Sequence, residues 1–254
     1  MEESVTLVDS AGHRTAAVLS APSEPTSKLG VLCHGFLSNK NSSTNKTLTR
    51  LLAERNIATL RFDFFGQGES DGPFETITVS KAMRQAEAAL EWGTSHGFRD
   101  LALVGSSFGG LIAILVAGHT RALRCLALKC PVPDFPELLN LEFGPQGMAE
   151  WRRTHSIPDV TGGSARIPLQ YGFYEDCLRH RGYDAAAGIV CPTLIVQGDT
   201  DELVPLHQAQ RLREAIPAPA RLEIVAGADH GFSKADHFHR MTGLITDWIA
   251  THLP

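Results

Sequence analysis

The stretch that most constrains this chain is Leu101–Gly110, LALVGSSFGG, with the apolar run LIAILVAGH immediately behind it. Apolar residues lead into Gly105, Ser107 follows, and Gly109 and Gly110 open a segment that reads as a buried helix. Side chains around Ser107 would block so close a crossing of strand and helix, which is the steric work of the glycines. The serine itself must then occupy a strained backbone conformation. The helix N-terminus aims free N–H groups and positive dipole at the space beside the hydroxyl. A tight strand-to-helix turn that happens to contain serine would satisfy the same local pattern, so the rest of the chain has to decide.

The rest of the chain repeats the alternation. Ser4–Val8 and Thr15–Ser20 read as a hairpin around Ser10-Ala11-Gly12-His13. Leu29–Cys33, Ile57–Phe62, Cys125–Cys130, Pro192–Gln197 and Leu222–Val225 read as further strands, and Thr47–Asn56, Val79–His96, Pro205–Ala215 and Phe238–Leu253 as helices. Alternation at this interval predicts an α/β fold with a mostly parallel central sheet, helices on both faces, and ligands at the carboxyl ends of the strands. One stretch breaks the rule. Residues 131–188 are rich in proline and glycine, show no clear period, and carry Phe135, Phe143, Trp151, Tyr171, Phe173, Tyr174 and Tyr183. Inserts of that length are commonly lids or binding loops. The expected organisation is a core of residues 1–130 and 189–254 with a small cap insert at 131–188.

Composition excludes several classes of function. With 23 basic and 28 acidic residues, net charge −5 and no basic block, nucleic acid and anionic membranes are poor partners. No apolar run approaches the roughly 20 residues of a membrane span. The acidic opening MEESVTLVDS lacks the basic and apolar regions of a signal peptide. The five cysteines (Cys33, Cys125, Cys130, Cys177 and Cys191) form no C-x-x-C pair, so reduced thiols and a cytoplasmic location are expected. A homodimer stays open.

A serine hydroxyl becomes a nucleophile when a histidine takes its proton and an acid fixes that histidine's tautomer. Beyond the strand at Pro192–Gln197, LIVQGDTDELVP offers Asp199 and Asp201; after the last strand, AGADHGF offers His230. An oxyanion needs two backbone N–H donors, one from the residue after the nucleophile, Phe108, and one from a loop after an earlier strand. His34-Gly35-Phe36 is placed to give the second from Phe36. Gly66-Gln67-Gly68 lacks the third glycine of a dinucleotide fingerprint, since Asp71 stands there, and no helix opens. His237 and His239, two apart, diverge on a helix and make no metal site. No cofactor and no metal is expected.

These residues carry a resemblance. The G-x-S-x-G turn between strand and helix, and the serine–acid–histidine order, resemble the α/β-hydrolase superfamily over nearly the whole chain. In the acid loop G-x-x-D-x-x-V-P, Gly198 to Pro205, the likeness makes Asp201 the acid and leaves Asp199 as a turn cap. Within the superfamily the chain resembles small bacterial esterases of the cinnamoyl/feruloyl type. HGFLSNKN at His34–Asn41, RFDFFGQGESDGPFE at Arg61–Glu75 and AGADHGF at Ala226–Phe232 match their loops. The likeness equates residues 131–188 with their inserted cap, and Gln146 and Tyr174 with residues beside an aromatic acyl group. GSSFG stands where many members read GHSQG, so Ser106 and Phe108 flank the nucleophile.

The resemblance implies a serine carboxylesterase that cleaves small or aromatic acyl esters through an acyl-enzyme on Ser107, with a small-molecule ester as partner. A thioesterase, an acyltransferase or an acylaminoacyl-type amidase would use the same three residues. A ligand-binding protein on the same fold would show a degenerate set, and this one is complete.

Overall fold

The chain opens with antiparallel β1 (Glu2–Val8) and β2 (Arg14–Ser20), whose turn is closed by Asp9 accepting the N–H groups of Ala11 and His13 at 2.8 and 2.9 Å. Alternation follows: β3 (Lys28–Cys33), α1 (Ser43–Ala53), β4 (Ala58–Phe62), α2 (Val79–Ser95), β5 (Asp100–Ser106), α3 (Phe108–His119) and β6 (Leu123–Lys129). The chain then leaves the sheet for α4 (Phe135–Thr154), short β7 (Ser156–Pro158) and β8 (Arg166–Pro168), α5 (Gly172–Cys177) and α6 (Gly182–Ala186). It returns with β9 (Thr193–Gly198), α7 (Leu206–Ala215), β10 (Ala220–Val225) and α8 (Ala235–His252). This computed structural model describes residues 1–158 and 165–253.

The main sheet runs in the order β1-β2-β4-β3-β5-β6-β9-β10. β1, β2 and β4 pair antiparallel, and from β4 through β3, β5, β6, β9 to β10 every neighbour is parallel. Parallel strands need both faces covered, and the period-two pattern of the strands does this residue by residue. Leu101, Leu103, Leu126, Leu128 and Ile195 face a core shared with α2 and α3. Ala102, Val104, Ala127, Leu194 and Val196 face a second core completed by Leu48 and Leu52 of α1 and by Met241, Ile245 and Ile249 of α8. α3 is apolar all round because β5 lies on one side and α2 and α6 on the others.

Helix α1 begins at Ser43, four residues before the expected Thr47. Ser42 caps it, its Oγ accepting the Asn45 N–H at 3.3 Å, so the polar run read as loop supplies the cap and first turn.

The segment between β6 and β9 corrects the expectation of an irregular insert. α4 starts at the cap of Asp134, whose carboxylate accepts the Glu137 N–H at 3.0 Å, with Pro136 in its first turn. Gly144 (φ 60°, ψ 177°) and Pro145 then break it into two helical pieces, which is why no single period runs through the sequence. Asp176 ties the segment to the sheet layer by accepting the N–H and hydroxyl of Ser80 at the start of α2, both at 2.8 Å. Residues 159–164 of the expected insert lie outside the described residues.

Candidate active site

Residues from four strand-end loops and from α4 converge at the carboxyl edge of the parallel strands. Ser107 caps β5 and precedes α3 with φ 52° and ψ −115°, a conformation that costs a non-glycine residue about 1–3 kcal/mol. Close approach on both sides holds it there. A Cβ at Gly105 would strike the backbone of Gly109 and Gly110, and one at Gly109 would strike the carbonyls of Cys33 and His34. The turn therefore sits against the end of β3, and a Cβ at Gly35 would stand 3.6 Å from Ser107 Cβ.

His230, in the loop after β10, reaches Ser107: Oγ lies 3.1 Å from Nε2. Its Nδ1 lies 2.9 and 3.0 Å from the two Asp201 carboxylate oxygens. A carboxylate only accepts, so Nδ1 carries the proton and Nε2 is left free to accept from the serine. Asp201 is itself held by N–H groups of Leu203 (3.0 Å) and Val204 (2.8 Å) and by Gln197 Nε2 (2.7 Å). Burial pushes its carboxyl up, but the hydrogen bond and charge of His230 and the Val204 N–H outweigh this and hold the pKa below the ordinary value. Asp199 is exposed and accepts the Gly227 N–H at 2.6 Å, bracing the loop after β10 without touching the imidazole.

The N–H groups of Phe36 and Phe108 serve no hydrogen bond among the described residues; Phe108 is the first residue of α3, where helix geometry leaves the donor free. Buried His34 fixes the loop that carries Phe36. Its Nδ1 donates to the Gly35 carbonyl at 2.7 Å and its Nε2 accepts the Phe64 N–H at 3.0 Å. Burial pulls the His34 pKa down to about 4, so the ring stays neutral and keeps both bonds. Below the same loop, Lys40 donates its N–H to Asp63 at 2.6 Å and its ammonium to Asp63 and Glu69. A Cβ at Gly68 would strike the Asp63 carboxylate, so the Gly66–Gly68 turn wraps an ion pair rather than a nucleotide.

A cavity of about 360 Å³ opens over Ser107 and His230. Phe135, Leu138, Leu139, Glu142 and Phe143 of α4 line one side at helical spacing, with Phe36 and Ile157 beside them. That stripe at i, i+3, i+4, i+7 and i+8 is present in the sequence, hidden by the break after it. Neither Gln146 nor Tyr174 lines the cavity. Gln146 is exposed just past the Gly144-Pro145 break, which turns it outward. Tyr174 packs against Trp151 and Tyr171, and its hydroxyl accepts from Asn140 at 2.9 Å. Lys129 and Gln197, which no motif marked, do touch the site: Lys129 Nζ donates to the His230 carbonyl at 2.7 Å.

Among the described residues one set of side chains has metal-ligand proximity, Cys130, Asp201 and His230, whose ligand atoms lie within 4.8 Å of one another. It does not suit an ion. His230 and Asp201 are bonded to each other, and burial pushes the Cys130 thiol pKa up, away from the thiolate a metal needs. No helix among the described residues is long and apolar enough to cross a membrane. All five cysteines are buried and unpaired.

Comparison with known proteins agrees with this architecture. Palmitoyl-protein thioesterase ABHD10, mitochondrial, of Rattus norvegicus is 24% identical over 225 residues, covering 85% of this chain and 73% of that protein. An uncharacterised 31.7 kDa protein of Escherichia coli is 23% identical, covering 88% and 90%. Among solved structures, Est1E of Butyrivibrio proteoclasticus with bound ferulic acid superposes with a TM-score of 0.85 at 24% identity over 98% of this chain and 99% of that one. Mouse alpha/beta hydrolase domain-containing protein 10 gives 0.83 at 21% identity, over 98% and 99%. The sequence profile described as Alpha/beta hydrolase family matches residues 31–241, a span that runs from within β3 into the first half of α8 and holds every strand-end loop around the cavity. With that span matched, the chain belongs to the alpha/beta hydrolase family.

Proposed function

We propose that the protein is a serine carboxylic ester hydrolase in which Ser107, His230 and Asp201 form the catalytic triad. The observation that carries this is the relay of Ser107 Oγ to His230 Nε2 at 3.1 Å and His230 Nδ1 to Asp201 at 2.9 Å, built on a strained serine beneath an apolar cavity. Ser107 Oγ attacks the substrate carbonyl carbon while His230 Nε2 takes its proton. The negative charge that develops on the carbonyl oxygen is met by the N–H groups of Phe36 and Phe108. Collapse breaks the bond to the leaving oxygen, which takes the proton from His230 and departs as the alcohol. Water, deprotonated by His230, then attacks the acyl-enzyme and releases the acid.

The acyl group lies along the α4 stripe, with residues 131–188 acting as the cap that walls it. Phe36, Phe135, Leu138, Leu139 and Phe143 suit a flat aryl or short aliphatic acyl group, in keeping with the cinnamoyl-type resemblance and with the ferulic acid held by Est1E. A thioester reading is favoured by one observation, the thioesterase name of the ABHD10 relatives. Both share the acyl-enzyme and differ in the leaving group. The test is covalent labelling with a fluorophosphonate, followed by turnover of aryl acrylate, short acyl and thioester substrates. Adduct on Ser107, absent in Ser107→Ala, with turnover of at least one class, is the expected result. A protein unlabelled at Ser107, or labelled at Ser106, overturns the assignment.

A further inference from the structure

Lys129 ends β6 beside the serine-bearing turn. It is the register partner of Ser106, and its carbonyl accepts the Ser107 N–H at 2.9 Å. The residue is only 7% exposed and lines the cavity with Ser106, Ser107 and His230. Burying an ammonium is costly unless its charge is met. Here Nζ donates to one neutral acceptor, the His230 carbonyl at 2.7 Å, and faces the Phe232 ring at 5.6 Å. No ion pair among the described residues includes it. The neighbouring carboxylate of Asp201 is already occupied by His230, Gln197 and two backbone N–H groups. An ammonium carries three N–H donors, so two remain for whatever enters the cavity. Ser106, 9% exposed, adds a hydroxyl beside it that serves no hydrogen bond among the described residues.

We propose that Lys129 recognises an anionic group on the substrate, so that the preferred esters carry a carboxylate or phosphate on the leaving alcohol or thiol. The proposal rests on the hydrolase reading of the cavity. The side follows from the anchoring of Nζ. It is fixed to His230, whose imidazole must deliver a proton to the leaving group, whereas Phe135, Leu138, Leu139 and Phe143 of α4 suit the acyl part, with Glu142 as the one carboxylate on the lining. A charge-assisted hydrogen bond is stronger than a neutral one, and the anion supplies the ion-pair partner that Lys129 does not make among the described residues, where Glu202 is engaged by the His230 N–H at 3.0 Å.

Two matched butyrate esters separate recognition from mere bracing of the His230 loop: one of para-hydroxybenzoate, one of neutral para-hydroxybenzamide. Their hydrolysis is followed in wild type, K129Q and K129R, and binding of the two free phenols to each protein is measured by calorimetry. The expected wild-type preference for the anionic ester is about tenfold in kcat/KM, mostly in KM and weakened by salt. K129Q removes the preference whatever it does to the absolute rate, and K129R retains part of it. Equal turnover of both esters by wild type, or a K129Q variant that keeps the wild-type ratio, overturns the proposal and makes Lys129 a brace. If wild type hydrolyses neither ester, the hydrolase reading fails for this class and calorimetry decides the anion site alone. Tighter binding of the acid than of the amide, lost in K129Q, supports it; equal binding overturns it.

Discussion

The loops at the carboxyl ends of β3, β5, β9 and β10 and the segment between β6 and β9 both border the cavity, yet they are built on different principles. In the loops, each polar side chain sits within a few residues of a strand end and is fixed by hydrogen bonds to nearby backbone: Asp201 by Leu203 and Val204, His34 by Gly35 and Phe64, Asp199 by Gly227. In the segment, position is set by aromatic packing rather than by hydrogen bonds to strand-end backbone. Trp151 touches Phe143, Tyr171, Phe173 and Tyr174, and Phe36 of the β3 loop meets Phe135 and Phe173. Short hydrogen-bonded loops tie chemistry to sequence position. A packed wall ties only volume and apolarity, so its individual residues are exchangeable in a way the loop residues are not.

The largest test of that contrast lies in the acid loop, where two aspartates stand two residues apart in opposite situations. Asp201→Asn removes the acceptor that holds the His230 tautomer, and a loss of about 10⁴-fold in kcat is expected from the serine-protease template. Asp199→Asn, exposed and remote from the imidazole, should stay within a few-fold of wild type. Steady-state kinetics on one reactive ester with both variants decides it, and the reverse ranking would put the acid at Asp199.

The segment should respond in stability rather than chemistry. Trp151 is fully buried and its Nε1 donates to the Leu169 carbonyl at 2.6 Å, so it joins the second half of α4 to the approach to α5. Trp151→Ala should lower unfolding free energy by about 3–5 kcal/mol, read from denaturant titration. A loss below about 1 kcal/mol would show that the wall does not depend on this packing.

Between these lies His34, a loop residue whose burial makes it a stability group. Its folded pKa is depressed to about 4 from 6.5, so as pH falls the unfolded chain binds this proton first. Stability is therefore intact above the unfolded value and is lost as pH drops from about 6.5 towards 4, a contribution on the order of 3 kcal/mol. Unfolding measured across that window should fall steeply in wild type and less steeply in His34→Asn. Parallel slopes in the two proteins would mean that His34 titrates normally.

The same division explains what the sequence made legible. The period-two strands, the glycines at 105 and 109, and the order of Ser107, Asp201 and His230 each have a local cause that leaves a local pattern. Where strands end in polar loops the likeness to related loops carried across residue by residue, and the structure brings those three side chains within hydrogen-bond reach. Lys129 left no trace because its meaning is burial beside a cavity, which depends on a loop 101 residues further along the chain folding back over the end of β6. α4 is hidden in the sequence for a different reason. Its stripe from Phe135 to Phe143 is apolar except for Glu142, but Gly144 and Pro145 end the phase, so no period extends over the insert as a whole.

The smallest expected effect is the sharpest check on that account. Gln146 and Tyr174 match the pattern of the resembling esterases by letter, yet the kink after Phe143 turns one to solvent and the other packs against Trp151 and Tyr171. Gln146→Ala and Tyr174→Phe should therefore leave kcat/KM for aryl and short acyl esters within about twofold, because neither group is left unpaired by the loss of a substrate contact. Leu139 and Phe143, each four residues on from a position that also faces the cavity, are the residues that should matter. Truncating either to Ala enlarges the cavity and removes apolar contact, so the ratio of aryl to acetyl turnover should shift by roughly 10-fold, the scale of a methylene or more in a hydrophobic pocket. Selective loss of hydroxyaryl turnover in Tyr174→Phe would instead place that hydroxyl on the substrate, and the packed wall would have to open to admit it.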